Sequence, residues 1–281
     1  MYGLLRGAEK QLGDLATKLV AACKSGALPT VRSIAPKLYA GTQPLAANPS
    51  TQLPPLRAVL ATAAENGRVD IMRYLMTNMP DCINARQRWS PKLPYPREQL
   101  PQQWKDAADW EIVVERAVES SHIPVVQLLL DQGMEVDYVL DRVGTILYLA
   151  IVGQDAAMAR FLLDKGADPN EACFPTLQSY LSLAAERPSC DVLVELLDHG
   201  AKIPGSQALL AAAKAGNIAT AEVLLARGAD VNEVVLWNLG DEPLNLGTAL
   251  HSAAEHGKTD MVAFLLKHGA RTDLKNGGKA E

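Results

Sequence analysis

Thr248–Ala270 reads TALHSAAEHGKTDMVAFLLKHGA, and upstream of it Gln207–Asp230 reads QALLAAAKAGNIATAEVLLARGAD. The two align without a gap through the second Gly-Ala pair, Gly216 on Gly257 and Gly228 on Gly269. Leu250, Ala253 and Ala254 stand at i, i+3 and i+4, which puts them on one face of a helix. Val262, Leu265 and Leu266 do the same on a second helix. Alanine on the first helix lets neighbours approach closely. Glycine after the second suits the left-handed turn that ends a helix, because it carries no Cβ to clash.

The template recurs toward the N-terminus. TILYLAIVGQ from Thr145 leads to LDKGADPN ending at Asn170, and YLSLAAERP from Tyr180 leads to LLDHGAK ending at Lys202. ERAVESSH from Glu115 leads to LLLDQGMEVD ending at Asp137. LATAAENGRVDIMRYLM spans Leu60–Met76, and LVAACKSGALPTVRSI, from Leu19 to Ile34, is a degenerate first copy. Pro124 sits near the start of a second helix, where its missing N–H costs nothing. One helix pair cannot bury its apolar face alone, so such copies must stack.

The pattern T-x-L-H-x-A-A-x-x-G, carried by Thr248, Leu250, His251, Ala253, Ala254 and Gly257, resembles the ankyrin repeat. So do the loops Gly166-Ala167-Asp168-Pro169-Asn170 and Gly228-Ala229-Asp230-Val231-Asn232. The resemblance runs from about Leu15 to Asp273. It implies an all-α solenoid of about seven helix pairs with enlarged finger loops, forming one array over residues 1–281. The approximate copies are 14–40, 54–84, 108–138, 141–171, 175–204, 205–233 and 244–275, with insertions at 36–53, 85–107 and 233–246. His251 and His122 match histidines that play structural roles in the family. His199 and His268 precede loop glycines and are expected near helix C-termini.

Function is expected where the period breaks. Corresponding positions lie 33 and 34 apart from Ser121 through Gln154 to Pro188, but only 28 apart from Pro188 to Gly216. Gly26 to Gly67 is 41, Gly67 to Ser121 is 54, and Gly216 to Gly257 is 41. All three enlargements fall on the finger side, where insertions often carry binding. The longest reads ARQRWSPKLPYPREQLPQQWKDAAD from Ala85 to Asp109. Pro91, Pro94, Pro96 and Pro101 bar a regular helix through it. Trp89, Tyr95 and Trp104 lie in this stretch, Trp110 at its exit and Trp237 in the third insertion, so all four tryptophans stand in or beside insertions. Tryptophan is a favoured interface anchor. The same rings also suit a second role, clamping the loops to the solenoid edge.

The resemblance places the two residues before each inter-helix turn on a concave groove. These are Lys24 and Ser25, Glu65 and Asn66, Glu119 and Ser120, Val152 and Gly153, Glu186 and Arg187, Lys214 and Ala215, then Glu255 and His256. Charges of both signs alternate along this row. Arg142, at the start of the fourth copy, joins the candidate contacts. Mixed charge suits a polar protein or peptide partner and argues against a nucleic-acid backbone.

Composition agrees. Hydrophobic residues are 48 %, charged residues 21 % and aromatics 5 %, with a net charge of −5 and a pI near 5.6. There is no basic block for nucleic acid or an anionic membrane, and no apolar run of spanning length. Cys23, Cys82, Cys173 and Cys190 are scattered, without metal-ligand spacing, and are expected as reduced thiols in the cytoplasm or nucleus. No G-x-S-x-G, H-E-x-x-H, P-loop or Rossmann fingerprint is present. Asp230/Glu233 and Asp241/Glu242 read as solvated loop acids rather than a catalytic pair. No cofactor or metal is expected. The leading function is a non-catalytic protein-interaction module. The alternative is an atypical ankyrin-fold enzyme or small-molecule binder, its pocket covered by the 85–110 loop. After Asp273 the sequence LKNGGKAE resembles another finger opening, which points to further repeats or domains beyond the C-terminus or to a partner on that flank.

Overall fold

A computed structural model describes residues 2–39, 56–79, 108–140, 144–173, 178–237 and 244–274. The chain divides into two compact units, Met1–Leu149 and Ala150–Glu281. In the first, helices come in pairs: α1 (Tyr2–Ser25) with α2 (Leu28–Tyr39), α3 (Leu56–Glu65) with α4 (Val69–Asn78), and α5 (Ala108–Glu119) with α6 (Ile123–Asp131). The first helices α1, α3 and α5 pack side by side, and α2, α4 and α6 form a second row behind them. A two-residue hairpin, β1 (Val139–Leu140) with β2 (Gly144–Thr145), comes next and leads into α7 (Ile146–Val152).

The second unit continues the scheme. α8 (Ala156–Asp164) is followed by the hairpin β3 (Ala172–Cys173) and β4 (Gln178–Ser179). The pairs α9 (Tyr180–Ala185) with α10 (Asp191–Asp198) and α11 (Ala208–Ala215) with α12 (Ile218–Ala226) come next. The hairpin β5 (Val235–Trp237) and β6 (Leu244–Gly247) then precedes α13 (Ala249–Glu255) and α14 (Thr259–Lys267). α9, α11 and α13 make the inner row, and α8 packs on α10 in the outer one. The third insertion thus forms, in part, a finger hairpin, with an irregularity between Val235 and Leu236. The first is entered by α2, which runs to Tyr39 through Pro36.

Small residues make the inner rows possible. Ala63, Ala64, Ala185, Ala212, Ala213 and Ala253 are fully buried, so backbones of successive first helices come close. The outer helices supply bulk: Ile71, Met72, Leu75, Leu129, Leu162, Leu196 and Leu265 are fully covered. The last pair presents an apolar flank. Ala254, aligned with buried Ala213, is exposed, and Leu266 is 44 % exposed. With Val262 and Ala263 they line a shallow depression of about 260 Å³, because no further pair lies against this flank among the described residues.

Polar side chains lock copy to copy at two levels. In the fingers, Asn170 donates to Gly200 O (3.2 Å) and accepts from Lys202 N–H (2.9 Å). Asn232 repeats this on Gly269 O (3.2 Å) and Arg271 N–H (2.8 Å). At the inter-helix turns, the residue after the turn reaches the preceding copy. Arg68 donates to Lys24 O (2.8 and 3.1 Å), His122 Nε2–H to Glu65 O (2.9 Å), and Asn217 to Arg187 O (2.6 Å). His251 accepts from the Thr248 N–H (3.2 Å) and so fixes the start of α13. His199, His256 and His268 each cap their own helix through Nδ1 to the carbonyl four residues back.

The outer row of the second unit carries ion pairs from helix to helix: Arg160 with Glu195, Asp164 with His199 (3.1 Å), and Asp198 with Arg227 (2.8 Å). The Asp164 carboxylate and the Glu195 carbonyl both favour protonated His199 and raise its pKa above the ordinary 6.5. A raised folded-state pKa means stabilisation that is complete below the ordinary histidine value and fades as pH climbs through the raised one. Urea unfolding of the wild type should therefore weaken from pH 6.5 upward more than that of His199→Gln. Parallel pH profiles for the two proteins would refute the linkage.

Cys23 is fully buried, and burial pushes its thiol up to about 11, while Cys190 is half-exposed; both are free. A thiol held neutral inside the core is a poor nucleophile. Native-state labelling with a maleimide should modify Cys190 and leave Cys23 intact until the protein unfolds. Equal rates at the two positions would contradict this packing.

Candidate functional site

The second unit presents a polar groove of about 400 Å³ across α9, α11 and α13, open to solvent. Its walls are Gln178, Ser182, Glu186, Gln207, Leu210, Ala211, Lys214, Leu246, Ser252, Glu255 and His256. Glu186, Lys214 and Glu255 come from the C-terminal ends of the three inner helices. Residues facing the core at Ala184–Ala185, Ala212–Ala213 and Ala253 set the helix rotation, which turns Glu186, Lys214 and Glu255 to the open side. The Asn217 bond to Arg187 O anchors the backbone beside Glu186.

Four of the residues read from sequence, Glu186, Lys214, Glu255 and His256, are brought together here. Arg187 is not among the walls; it is half-buried, and its Nε has no hydrogen-bond partner among the described residues. Glu65, Asn66 and Glu119 lie in the first unit. Glu65 is exposed with its carbonyl bound by His122, Asn66 donates to Thr62 O, and Glu119 lies 3.7 Å from Arg116. Trp89, Tyr95, Trp104 and Arg142 lie outside the described residues. Trp110 falls in the first turn of α5 and Trp237 ends β5.

Gln178 and Gln207 are groove residues that the sequence reading missed. Gln178 Nε2 donates to Ser182 Oγ (3.2 Å) and to Glu186 Oε1 (3.3 Å), which ties the β4 finger to the α9 wall and orients the carboxylate. Gln207 stands at the entry to α11 with φ +66°, left-handed for a residue with a full side chain. The 28-residue spacing explains it. The connection before α11 is cut to a tight turn in which Gly205 N–H donates to Glu233 (2.7 Å) and Ser206 O accepts from Ser179 (2.6 Å). The chain must then reverse sharply into the helix. The shortened spacing was the available signal: a connection missing about five residues must place its helix start under strain.

Asp230 accepts from Asn232 N–H (2.9 Å) and Glu233 from Gly205 N–H; Asp241 and Glu242 lie outside the described residues. Among the described residues no group of three His, Cys, Asp or Glu side chains is arranged to hold a metal, and no helix is long and apolar enough to cross a membrane.

This geometry defines a class: stacked helix pairs with projecting hairpins, presenting a preformed groove of mixed charge. Residues 181–276 match the ankyrin-repeat family in three copies. Human ankyrin repeat and SOCS box protein 6 is 38 % identical over 99 residues, 34 % of this chain and 22 % of that protein. Its Pongo abelii counterpart is 38 % identical over 93 residues, 31 % of this chain and 20 % of that protein. The matched stretch thus spans about a fifth of these curated relatives. Among solved structures, the ankyrin repeat domain of Bcl-3, a unique member of the IkappaB family, superposes with a TM-score of 0.51 at 26 % identity over 60 % of this chain and 76 % of that one. The human ASB11 ankyrin repeat domain gives 0.55 at 20 % identity, over 78 % and 86 %, a likeness of fold alone. Residues 181–276 carry ankyrin repeats and the fold is that of an ankyrin solenoid, and ankyrin repeat domains are in general protein–protein interaction modules.

Proposed function

We propose that this chain is a non-catalytic recognition module that grips a protein partner in the groove of its second unit. The loop from Ala85 to Asp109 sets specificity as a separate contact. The observation that carries the groove assignment is the convergence of Glu186, Lys214, Glu255 and His256 with Gln178 and the left-handed Gln207 on one open surface. Backbone strain persists only where surrounding structure holds it, and it concentrates at ligand-binding positions. A groove fixed by copy-to-copy hydrogen bonds loses little freedom on binding, which favours affinity. Free thiols at Cys23 and Cys190 suit a reducing compartment, the cytoplasm or nucleus.

The test is comparative capture from the native source. The three baits are the wild type, Lys214→Glu/Glu255→Lys, and a form with residues 85–107 replaced by a short turn. Both altered proteins should stay folded by circular dichroism. The groove variant should lose the partner, and the trimmed form should bind it about tenfold or more weakly if one aromatic anchor is lost. Full retention of the partner by the groove variant would refute the groove assignment. A trimmed form that melts lower yet binds fully when folded would reassign the loop's rings to stability.

A further inference from the structure

The three inner helices of the groove carry an ordered charge sequence. Glu186 comes directly after α9, Lys214 lies in the last turn of α11, and Glu255 ends α13. All three are exposed. Lys214 and Glu255 have no ion pair or hydrogen bond among the described residues, and Glu186 has only the Gln178 amide on one oxygen. Each rung therefore offers an unused charge, and the order is minus, plus, minus. α9 packs on α11 and α11 on α13, so the rungs succeed one another at the spacing of packed helices, about 8–10 Å.

We infer that the groove selects an extended peptide segment of its partner whose charges run basic, acidic, basic, each three residues apart. This rests on the groove reading above. In a polyproline II chain, an extended form with three residues per turn and about 3.1 Å per residue, residues three apart share a face and match one helix-to-helix step. The basic residues meet Glu186 and Glu255, and the acidic one meets Lys214. Leu210 and Leu246, both half-buried in the wall, offer apolar contact to the residues between. The motif reads the same in both chain directions, so the charge pattern alone does not fix polarity. Wrong partners are rejected by like-charge contact at each rung, which is how charge patterns confer specificity.

Labelled nonapeptides on the full chain test this by fluorescence anisotropy at low salt. The three cores are Arg-Ala-Ala-Asp-Ala-Ala-Arg, its inverse Asp-Ala-Ala-Arg-Ala-Ala-Asp, and the contracted Arg-Ala-Asp-Ala-Arg. The first should bind about tenfold tighter than either other, summed over three exposed pairs, and should weaken with added salt. Lys214→Glu should abolish that preference and favour Arg-Ala-Ala-Arg-Ala-Ala-Arg, while Lys214→Met should bind both central charges alike. Equal affinity for the first three peptides, or no saturable binding by any, overturns the motif. If the peptides fail while Lys214→Glu/Glu255→Lys still loses the captured partner, the motif falls and the groove reading stands. If that double variant keeps the partner, both fall.

Discussion

Leu163→Ala should lower the unfolding free energy by about 2–5 kcal/mol, the range for emptying a well-packed leucine site. Leu163 is 5 % exposed on α8, which packs against α10, and its neighbour Leu162 is fully buried. Leu266 occupies the matching position in the last copy, three residues before the loop glycine, and is 44 % exposed. Leu266→Ala should cost no more than about 0.5 kcal/mol, as for other surface changes. Two leucines at the same place in the repeat thus differ by several-fold in energetic weight because one is covered and the other is not. In a stack, stability is the sum of copy terms and nearest-neighbour interfaces, so an interior loss weakens contacts on both sides. Chemical denaturation of both variants decides the matter. Equal shifts in midpoint would mean that burial at Leu163 does not carry the interface.

That contrast shows what the sequence discloses and what it withholds. Helix pairs, loop glycines and capping side chains are local, and local patterns read directly. Gly166, Gly200, Gly228 and Gly269 take positive φ where the repeat demands it, and Asn170 and Asn232 make the same two bonds in their own copies. The groove residues Glu186, Lys214, Glu255 and His256 were legible for the same reason, since their place in the repeat fixes their side of the helix. How far Leu266 and Ala254 are covered depends on the neighbouring layer of the stack rather than on their own copy. Gln207 escaped because it sits where the shortened connection meets a helix start, and Gln178 because it lies on a finger strand, away from the inter-helix turn where the repeat template places groove contacts.

Gly67→Ala should cost about 2 kcal/mol, roughly twice the loss from Gly257→Ala, although both glycines end the same inter-helix turn with φ +65°. The shared part is backbone strain, about 1–2 kcal/mol for a side chain forced into the left-handed region. The extra part at Gly67 comes from the next copy. A Cβ there would stand 2.9 Å from His122 Cε1 and Nδ1, whereas a Cβ on Gly257 meets nothing within 4 Å. The imidazole is able to swing away, so the added cost is that of the displaced bond from His122 Nε2–H to Glu65 O, about 0.5–1.5 kcal/mol. Gly216 lies beneath Lys258, 3.0 Å from Cδ, and a flexible lysine stem with no bond to lose should place Gly216→Ala near the Gly257 value. The decisive comparison is a double-mutant cycle with His122→Ala. If Gly67→Ala costs about 1 kcal/mol in that background, the excess belongs to the histidine brace. If it still costs about 2 kcal/mol, strain alone sets the penalty, and the brace does not couple the second and third copies.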